Sequence, residues 1–267
     1  MTPAITQAAF IAITRNEAQL INPHKTVGDI ILTSKLNILR TGVAAAVFIG
    51  TAAIATPALA EISVSAAAAN MYLWRGIDLG NGDAAISGDI IYSNSGAYGG
   101  VWASSGDAAL GNEYDYFIGY GNALNDFSYD ISLWNYNYSD NDHDGSAGFE
   151  RSDDTTGELS EVILTLGYKD ISFSYYDNIA GATGYEYLTL SGSTGKFGAT
   201  IGHHEFDTTG NGNDMTHLDV SYSFNDNLSF TASKIVAQDC DKDDSNCAGS
   251  FDEDLKLVVS YSLPIEL

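Results

Sequence analysis

From residue 61 onward the chain alternates apolar and polar residues with a period of two, and this pattern constrains the fold more than any other feature. In "THLDVSYSF", residues 216–224, Leu218, Val220 and Tyr222 alternate with polar residues, and "NLSFTAS", residues 227–233, repeats the pattern. Successive side chains of an extended strand point to opposite faces, so this period predicts strands with one apolar and one polar face. No later segment has a convincing helical period. We therefore predict an all-β fold.

The pattern predicts about twelve strands, whose connections alternate between short and long. The strands lie near residues 62–76, 84–93, 97–104, 112–120, 127–138, 160–168, 171–177, 185–191, 197–205, 215–224, 228–236 and 255–263. The short connections are residues 94–96, 121–126, 169–170, 192–196 and 225–227, and the long ones are 77–83, 105–111, 139–159, 178–184, 206–214 and 237–254.

This alternation indicates a transmembrane barrel rather than a soluble sandwich. Outer-membrane barrels have short periplasmic turns and long extracellular loops, and an even strand number returns both termini to the periplasm. A soluble sandwich has no reason to separate its connections by length. We predict one antiparallel transmembrane β-barrel over residues 61–267.

Aromatic residues lie near the ends of several predicted strands. They are Tyr72, Trp74, Tyr98, Trp102, Tyr136, Tyr138, Tyr185 and Tyr187. Transmembrane barrels carry girdles of aromatic residues at both membrane interfaces. We predict that these eight form such girdles, and the alternative is the core of a sandwich.

The most apolar run of the chain precedes the predicted barrel and is organised like an export signal. "TGVAAAVFIGTAAIATPALA", residues 41–60, follows two basic residues and ends in the small-x-small triplet "ALA". The run is too rich in Ala and Thr for a transmembrane helix. We predict a signal peptide at residues 35–60, cleaved before Glu61, and a location in the outer membrane of a Gram-negative bacterium. Residues 1–34 are interpreted as an upstream extension or a mis-assigned start.

The net charge limits the partners of the chain. Its formal charge is −24 with only 11 Lys and Arg residues, so phosphate backbones would be repelled and nucleic acid is excluded as a partner. The predicted partners are outer-membrane lipid and lipopolysaccharide, small solutes or ions, and the barrel-assembly machinery.

Charged residues on the polar face of the strands predict an acidic barrel interior. They are Arg75, Asp89, Glu113, Asp115, Asp130, Glu161, His217 and Asp219. A lipid-facing Arg costs about 2–4 kcal/mol near the membrane midplane, so Arg75 is predicted to face inward. Carboxylate-lined pores favour cations. The alternative is that these groups pair and plug a closed barrel, for example through Arg75 with Asp89 or Asp115.

Two predicted loops are acidic and could bind cations: one contains residues 140–145, and the other contains Cys240 and Cys247. In "DNDHDG", residues 140–145, Asp140, Asp142 and Asp144 match the first half of a calcium-binding EF-hand loop. The twelfth position is Arg151 instead of Glu and the flanking segments are strands, so at most loosely held calcium is predicted, and no resident cofactor.

The only two cysteines, Cys240 and Cys247, frame an acidic segment of another predicted loop. In an exported chain this spacing predicts a local disulfide, whereas a thiolate metal site would lack a second pair of ligands.

Catalysis is not expected. The chain has no Gly-x-Ser-x-Gly nucleophile elbow. His203 and His204 are adjacent in a predicted strand, so their side chains point to opposite faces and cannot share one metal ion.

The segment "NMYLWRGIDLGNGDAAISGDIIYSNSGAYGGVWASS", residues 70–105, resembles the opening of the TorF family of proteobacterial outer-membrane porins. Its Tyr-x-aromatic-Arg-Gly element is matched by Tyr72, Trp74, Arg75 and Gly76, and its hairpin element by Gly96, Tyr98, Gly100, Trp102 and Ser104. The chain departs from the family pattern at Asn70-Met71 and Ala84-Ala85, and the detailed match covers only the first two hairpins.

The TorF resemblance implies an outer-membrane barrel and a pore. Together with the acidic interior it predicts a porin-like channel for passive diffusion of ions or small solutes, with a preference for cations. The alternative is a non-conducting structural or surface-interaction barrel whose acidic loops bind divalent cations.

Overall fold

The computed structural model of the protein describes residues 60–139, 159–181, 184–206, 213–240 and 250–266. All regular secondary-structure elements in these ranges are β-strands. The strands are β1 (Glu61–Ala69), β2 (Leu73–Trp74), β3 (Ile77–Asp78), β4 (Ala85–Asn94), β5 (Ala97–Asp107), β6 (Gly111–Leu124), β7 (Phe127–Tyr138), β8 (Leu159–Tyr168), β9 (Ile171–Ala180), β10 (Tyr185–Thr194), β11 (Phe197–Phe206), β12 (Met215–Ser223), β13 (Leu228–Gln238) and β14 (Lys256–Ile265). In this part of the chain, no helix is long and apolar enough to cross a membrane.

Twelve of the strands form a closed antiparallel barrel. Strands β4 to β14 pair in sequence order, and β1 closes the barrel by pairing with both β4 and β14. The remaining two strands, β2 and β3, pair only with each other. The prediction of an all-β, twelve-stranded antiparallel barrel is confirmed.

The period-two pattern places apolar side chains outside and hydroxyl or charged side chains inside. Ile86 is 68% exposed and Ile118 is 64% exposed on the outer face. The interior contains buried pairs such as Thr165 with Ser174 and Ser191 with Thr200, whose hydroxyl oxygens are 2.8 Å apart. The outer face is therefore apolar and the inner face polar, as expected for a barrel surrounded by lipid.

The connections separate by barrel end. One end, called the turn end, carries residues 95–96, 125–126, 169–170, 195–196 and 224–227, together with the start of β1 and the end of β14. The other, called the loop end, is where the connections that follow Ala69, Asp107, Tyr138, Ala180, Phe206 and Gln238 leave the wall. Two loop-end connections, 108–110 and 181–184, are shorter than predicted because β5, β6 and β9 extend further. The alternation of short and long connections is therefore not strict.

The prediction of a first strand over residues 62–76 is wrong. Strand β1 ends at Ala69, where the Asn70 side chain takes over the pairing with β14: its Nδ2 donates to the Leu257 carbonyl at 3.2 Å and its Oδ1 accepts from the Val259 amide at 2.6 Å. Residues 70–84 leave the barrel wall and contain the β2–β3 hairpin. This segment is called the plug.

The prediction that eight named aromatic residues form membrane girdles is also wrong. Tyr72, Trp102, Tyr185 and Tyr187 are buried, and Trp74, Tyr98 and Tyr136 pack against them in one interior cluster. Tyr138 also points inward, where its hydroxyl donates to Glu113 at 3.0 Å. The side chains of these residues lie on the inward face of their strands or on the plug. The aromatic residues exposed at the turn end are instead Tyr92, Tyr120, Phe127, Tyr129, Tyr168, Phe197 and Phe224.

Candidate functional site

The plug folds back into the loop-end half of the barrel interior. Tyr72 donates a hydrogen bond to Glu113 on β6, and its ring centroid is 6.4 Å from that of Trp102 on β5. Leu73 is buried and packs in one apolar cluster with Val258 on β14. Because these contacts involve three different strands of the wall, β5, β6 and β14, the plug spans the interior rather than lining one side.

The tip of the plug is a tight turn formed by Arg75 and Gly76. Their φ angles are 47° and 85°, and the turn connects β2 to β3. Positive φ at both central residues is characteristic of type I′ hairpin turns. For a residue other than glycine this conformation costs roughly 1–2 kcal/mol, so the contacts of Arg75 must compensate.

Arg75 forms a buried, bidentate ion pair with Glu161 on β8. Nη1 donates to Oε1 at 2.9 Å and Nη2 donates to Oε2 at 2.6 Å, and less than a tenth of either side chain is exposed. Nη1 also donates to the Tyr185 hydroxyl at 3.1 Å, and the Tyr136 hydroxyl donates to Glu161 at 2.7 Å. Burial acts to lower the pKa of Arg75, but Glu161, Tyr185 and Tyr136 together raise that pKa well above its usual range.

Four aromatic rings enclose the guanidinium of Arg75. Its Cζ is 4.4 Å from the ring centroid of Tyr176, 4.6 Å from Trp74, 4.7 Å from Tyr187 and 5.7 Å from Tyr185. All four distances lie within the range of cation–π attraction. These four residues and Glu161 are called the Arg75 cage.

Two histidines of the wall hold the backbone of the plug tip. His204 Nε2 donates to the Arg75 carbonyl at 2.8 Å, so its Nδ1 accepts from the Tyr185 hydroxyl at 2.9 Å. A Cβ on Gly76 would lie 2.6 Å from Cγ of His217, so only glycine allows this approach. The element "WRG", which the sequence offered only as a resemblance, therefore has a structural role at each residue.

His217 is fixed by a chain of hydrogen bonds. Its Nδ1 donates to Asp219 at 3.1 Å, and its Nε2 accepts from the Tyr187 hydroxyl at 2.8 Å. Because Tyr187 also belongs to the Arg75 cage, this chain positions both the cage and the surface against which Gly76 packs.

All of the residues predicted to line the interior do face inward. Glu113, Asp115, Glu161, His217 and Asp219 are buried on the wall, Arg75 is buried on the plug, and Asp89 and Asp130 are half-buried.

Asp89 and Asp115 are the examples given above of partners for Arg75 in a plugged barrel, and neither pairs with it: the plug carries Arg75 to Glu161 instead. Asp89 accepts from Ser65 at 2.7 Å and Asp130 from Tyr98 at 2.9 Å. Asp115 Oδ1 is buried without a hydrogen-bond partner in the described part of the chain.

Sequence reasoning missed several interior residues. Lys256, at the start of β14, is buried and donates to the Asp252 carbonyl at 2.6 Å, so the interior holds a second basic residue. In "LKLVV", Lys256 lies on the strand face opposite to Leu257 and Val259, and this position could have revealed that its side chain points inward. Apart from their alternating position in a predicted strand, nothing in the sequence indicated that Tyr176 and His204 contact the plug.

The turn-end half of the interior is more open than the half that the plug fills. It is lined by exposed or half-buried side chains that are mostly hydroxyls: Ser63, Ser65, Ser93, Ser128, Ser172, Ser221, Ser229 and Thr231, with Asp130 near the end and Asp89 midway along β4. This half is called the vestibule; its inward side chains are mainly polar and include two carboxylates and the Tyr98 hydroxyl, which donates to Asp130 at 2.9 Å.

Several predicted features lie outside the described residues. They are the predicted signal peptide at residues 35–60 except for Ala60, the extension at 1–34, the calcium-like residues Asp140, Asp142 and Asp144, and Cys247. Cys240 is described: it is buried and carries no free thiol, while its pairing with Cys247 stays a prediction. His203 is exposed and His204 is buried, which confirms that they face opposite sides of β11.

Comparison with known proteins gives one family. The family model described as "Bacterial protein of unknown function (Gcw_chp)" matches residues 53–245, which is 193 of the 267 residues. No curated protein matches the chain. The TorF resemblance is not confirmed by this match and stays a prediction.

Proposed function

We propose that this chain, which belongs to the Gcw_chp family of bacterial proteins of unknown function, is an outer-membrane, porin-like channel that the plug closes at its loop end. Ions or small solutes diffuse passively through its interior when the plug moves, and cations are preferred.

The outer face of the barrel supports a membrane location. Barrel closure leaves no unpaired strand edge, and the exposed side chains of the wall are mainly aliphatic or aromatic. A barrel of this kind would contact outer-membrane lipid and lipopolysaccharide and would need an export signal and the barrel-assembly machinery. The TorF resemblance of residues 70–105 agrees with this location.

The observation that carries the proposal is the vestibule. Asp89 and Asp130 are only half-buried, so they can meet a hydrated ion that enters from the turn end. Carboxylates that line a pore favour cations. Twelve strands enclose more space than the eight of a filled barrel and less than the 16–18 of open porins, which suits a narrow path.

A second candidate function is a non-conducting barrel with a structural or surface role. The plug favours this candidate, because the buried pair of Arg75 and Glu161 and the surrounding rings fill the loop-end half of the interior. The two candidates differ in whether the plug can leave.

Planar-bilayer recording separates the two candidates. The wild-type protein is compared with a variant in which residues 72–80 are replaced by a short Gly-Ser linker. A channel closed by the plug should conduct rarely in the wild type and continuously in the variant. If neither protein conducts over a range of voltages, the channel proposal fails and the non-conducting barrel stands.

A salt gradient across the same bilayer tests cation preference. The reversal potential should report cation selectivity, and the double substitution Asp89→Asn with Asp130→Asn should shift it toward zero. Asp177→Asn is the matched control, because Asp177 lies on the outward parity of β9 beside Tyr175. An anion-selective wild type would refute the role given to the acidic vestibule.

A further inference from the structure

We infer that the wall of the Arg75 cage is a binding site for small organic cations that carry a guanidinium group, and that Arg75 is its tethered occupant. The site itself follows from the contacts around Arg75. The passage of its ligand through the barrel rests on the proposed channel function.

The wall part of the site exists without the plug. Its carboxylate and rings come from four consecutive barrel strands: Tyr136 on β7, Glu161 on β8, Tyr176 on β9, and Tyr185 and Tyr187 on β10. Antiparallel pairing with adjacent strands fixes each of them. Withdrawal of the plug would therefore leave a preformed cavity that contains a carboxylate.

The geometry selects a planar cation with several donors. Glu161 receives two parallel hydrogen bonds from Arg75, and the Tyr185 hydroxyl receives a third from Nη1. A guanidinium group offers this forked arrangement, whereas an ammonium ion offers a compact charge and sodium offers no donors. Rings above and beside the group add cation–π attraction that a small hydrated metal ion would not exploit.

The empty site would be unfavourable. Glu161 is 2% exposed while the plug is docked, so removal of the Arg75 side chain alone would leave its charge buried, with the Tyr136 hydroxyl as its hydrogen-bonding partner among the described residues. A buried charge without a partner strongly destabilises a fold. A soluble guanidinium compound can relieve this cost, and in the wild type it must compete with the tethered Arg75.

The test is chemical rescue of the Arg75→Ala variant of the full chain, purified in detergent, with methylguanidinium as the probe. Removing the side chain vacates the cage and retains the wall. Millimolar methylguanidinium should raise the Tm of Arg75→Ala saturably, by roughly 3 °C or more at ten times its midpoint concentration. The wild type should shift by less than a third of that amount.

Two controls define the specificity of the rescue. The double variant Arg75→Ala with Glu161→Gln keeps the cavity but removes the carboxylate, so methylguanidinium should not shift its Tm. Ammonium and sodium at equal ionic strength should not rescue Arg75→Ala. If Arg75→Ala refolds poorly, its refolding yield is measured instead, and it should rise severalfold with methylguanidinium.

The inference is overturned if methylguanidinium changes neither the Tm nor the refolding yield of Arg75→Ala beyond its effect on the double variant. This readout requires no conduction. Failure of rescue with intact conductance therefore removes only the binding site, and rescue without any conductance removes only the proposed channel.

Discussion

At the scale of single residues, Arg75 shows how a costly arrangement is held in place. Its backbone lies in the left-handed region and its charge is buried, and both features are unfavourable alone. The bidentate contact with Glu161 and the surrounding rings satisfy the charge, while His204 binds the carbonyl. A buried pair of this kind contributes little net stability when complete but is expensive to break. We therefore interpret it as a device for positioning the plug.

Substitution of one member of this pair should be far more harmful than substitution of a surface pair. Glu161→Gln leaves Arg75 charged and uncompensated, so the free energy of unfolding should fall by about 3–5 kcal/mol. The matched control is Asp126→Asn: Asp126 lies 3.9 Å from Lys169 with 62% of its side chain exposed. This control should change stability by less than about 1 kcal/mol. Denaturant titration of the refolded barrels measures both, and equal effects would contradict the buried pair.

At the scale of structural elements, the plug is a short hairpin that depends on the wall. Strands β2 and β3 contain two residues each, too few for a hairpin to be stable alone in water. Asp78 accepts from the Gly80 amide at 3.0 Å and from the Gly82 amide at 2.7 Å, which orders the return of the plug toward β4. The remaining stabilisation comes from Tyr72, Arg75 and Gly76 against the interior.

Comparing alanine substitutions at two glycines of the plug separates the effect of backbone strain from the effect of lost docking against the wall. Gly76 and Gly82 have φ angles of 85° and 90°, so alanine is strained at both positions. A Cβ at residue 76 would overlap His217, whereas one at residue 82 would meet nothing within 4 Å. Gly76→Ala should therefore release the plug in a way that Gly82→Ala does not.

Trypsin cleavage after Arg75 reports this release, because Arg75 is 9% exposed in the docked plug. Overpacking costs typically 1–3 kcal/mol, so cleavage of Gly76→Ala should be about tenfold faster than that of the wild type or Gly82→Ala. The amino-terminal fragment is followed by mass spectrometry. Equal cleavage rates for the two variants would show that Gly76 does not dock the plug.

At the scale of the whole molecule, the apolar outer face and polar inner face of the barrel are compatible with the proposed membrane location. The outer face exposes Ile, Leu, Val and aromatic side chains over most of the strands, while polar residues such as His203 and Glu205 lie outside near the loop end of β11. Water does not stabilise an apolar surface of this extent, and a lipid bilayer does.

Lysine substitutions on the outer face test whether that face contacts lipid or water. The sign of the change in unfolding free energy distinguishes the two. Ile131, 50% exposed near the middle of β7, should tolerate Ile131→Lys poorly in lipid vesicles, at a cost of about 2–4 kcal/mol. Thr216→Lys, beside His203 near the loop end, should cost less than about 1 kcal/mol. Denaturant unfolding in vesicles measures both costs. A stabilising effect of Ile131→Lys would identify a water-exposed surface and contradict the membrane proposal.

The sequence by itself determined the wall strands other than the end of the first one, and the two faces of the wall. Alternation of side chains is a local property of extended backbone, so "THLDVSYSF" predicts both β12 and the inward position of Asp219 without any distant contact. The inward position of the charged residues on the wall followed from the same rule.

Only the tertiary structure decided what fills the barrel. Residues 70–76 continue the apolar alternation closely enough to extend β1, and nothing local shows that Asn70 ends the strand by binding β14. The partner of Arg75 is Glu161, 86 residues away, and the glycine after it is required by His217. For aromatic residues of the wall, alternation indicates the inward face, but partners such as Tyr72 for Trp102 and Arg75 for Tyr187 come from the plug. These features depend on which side chains meet across a closed barrel, and a local pattern does not contain that information.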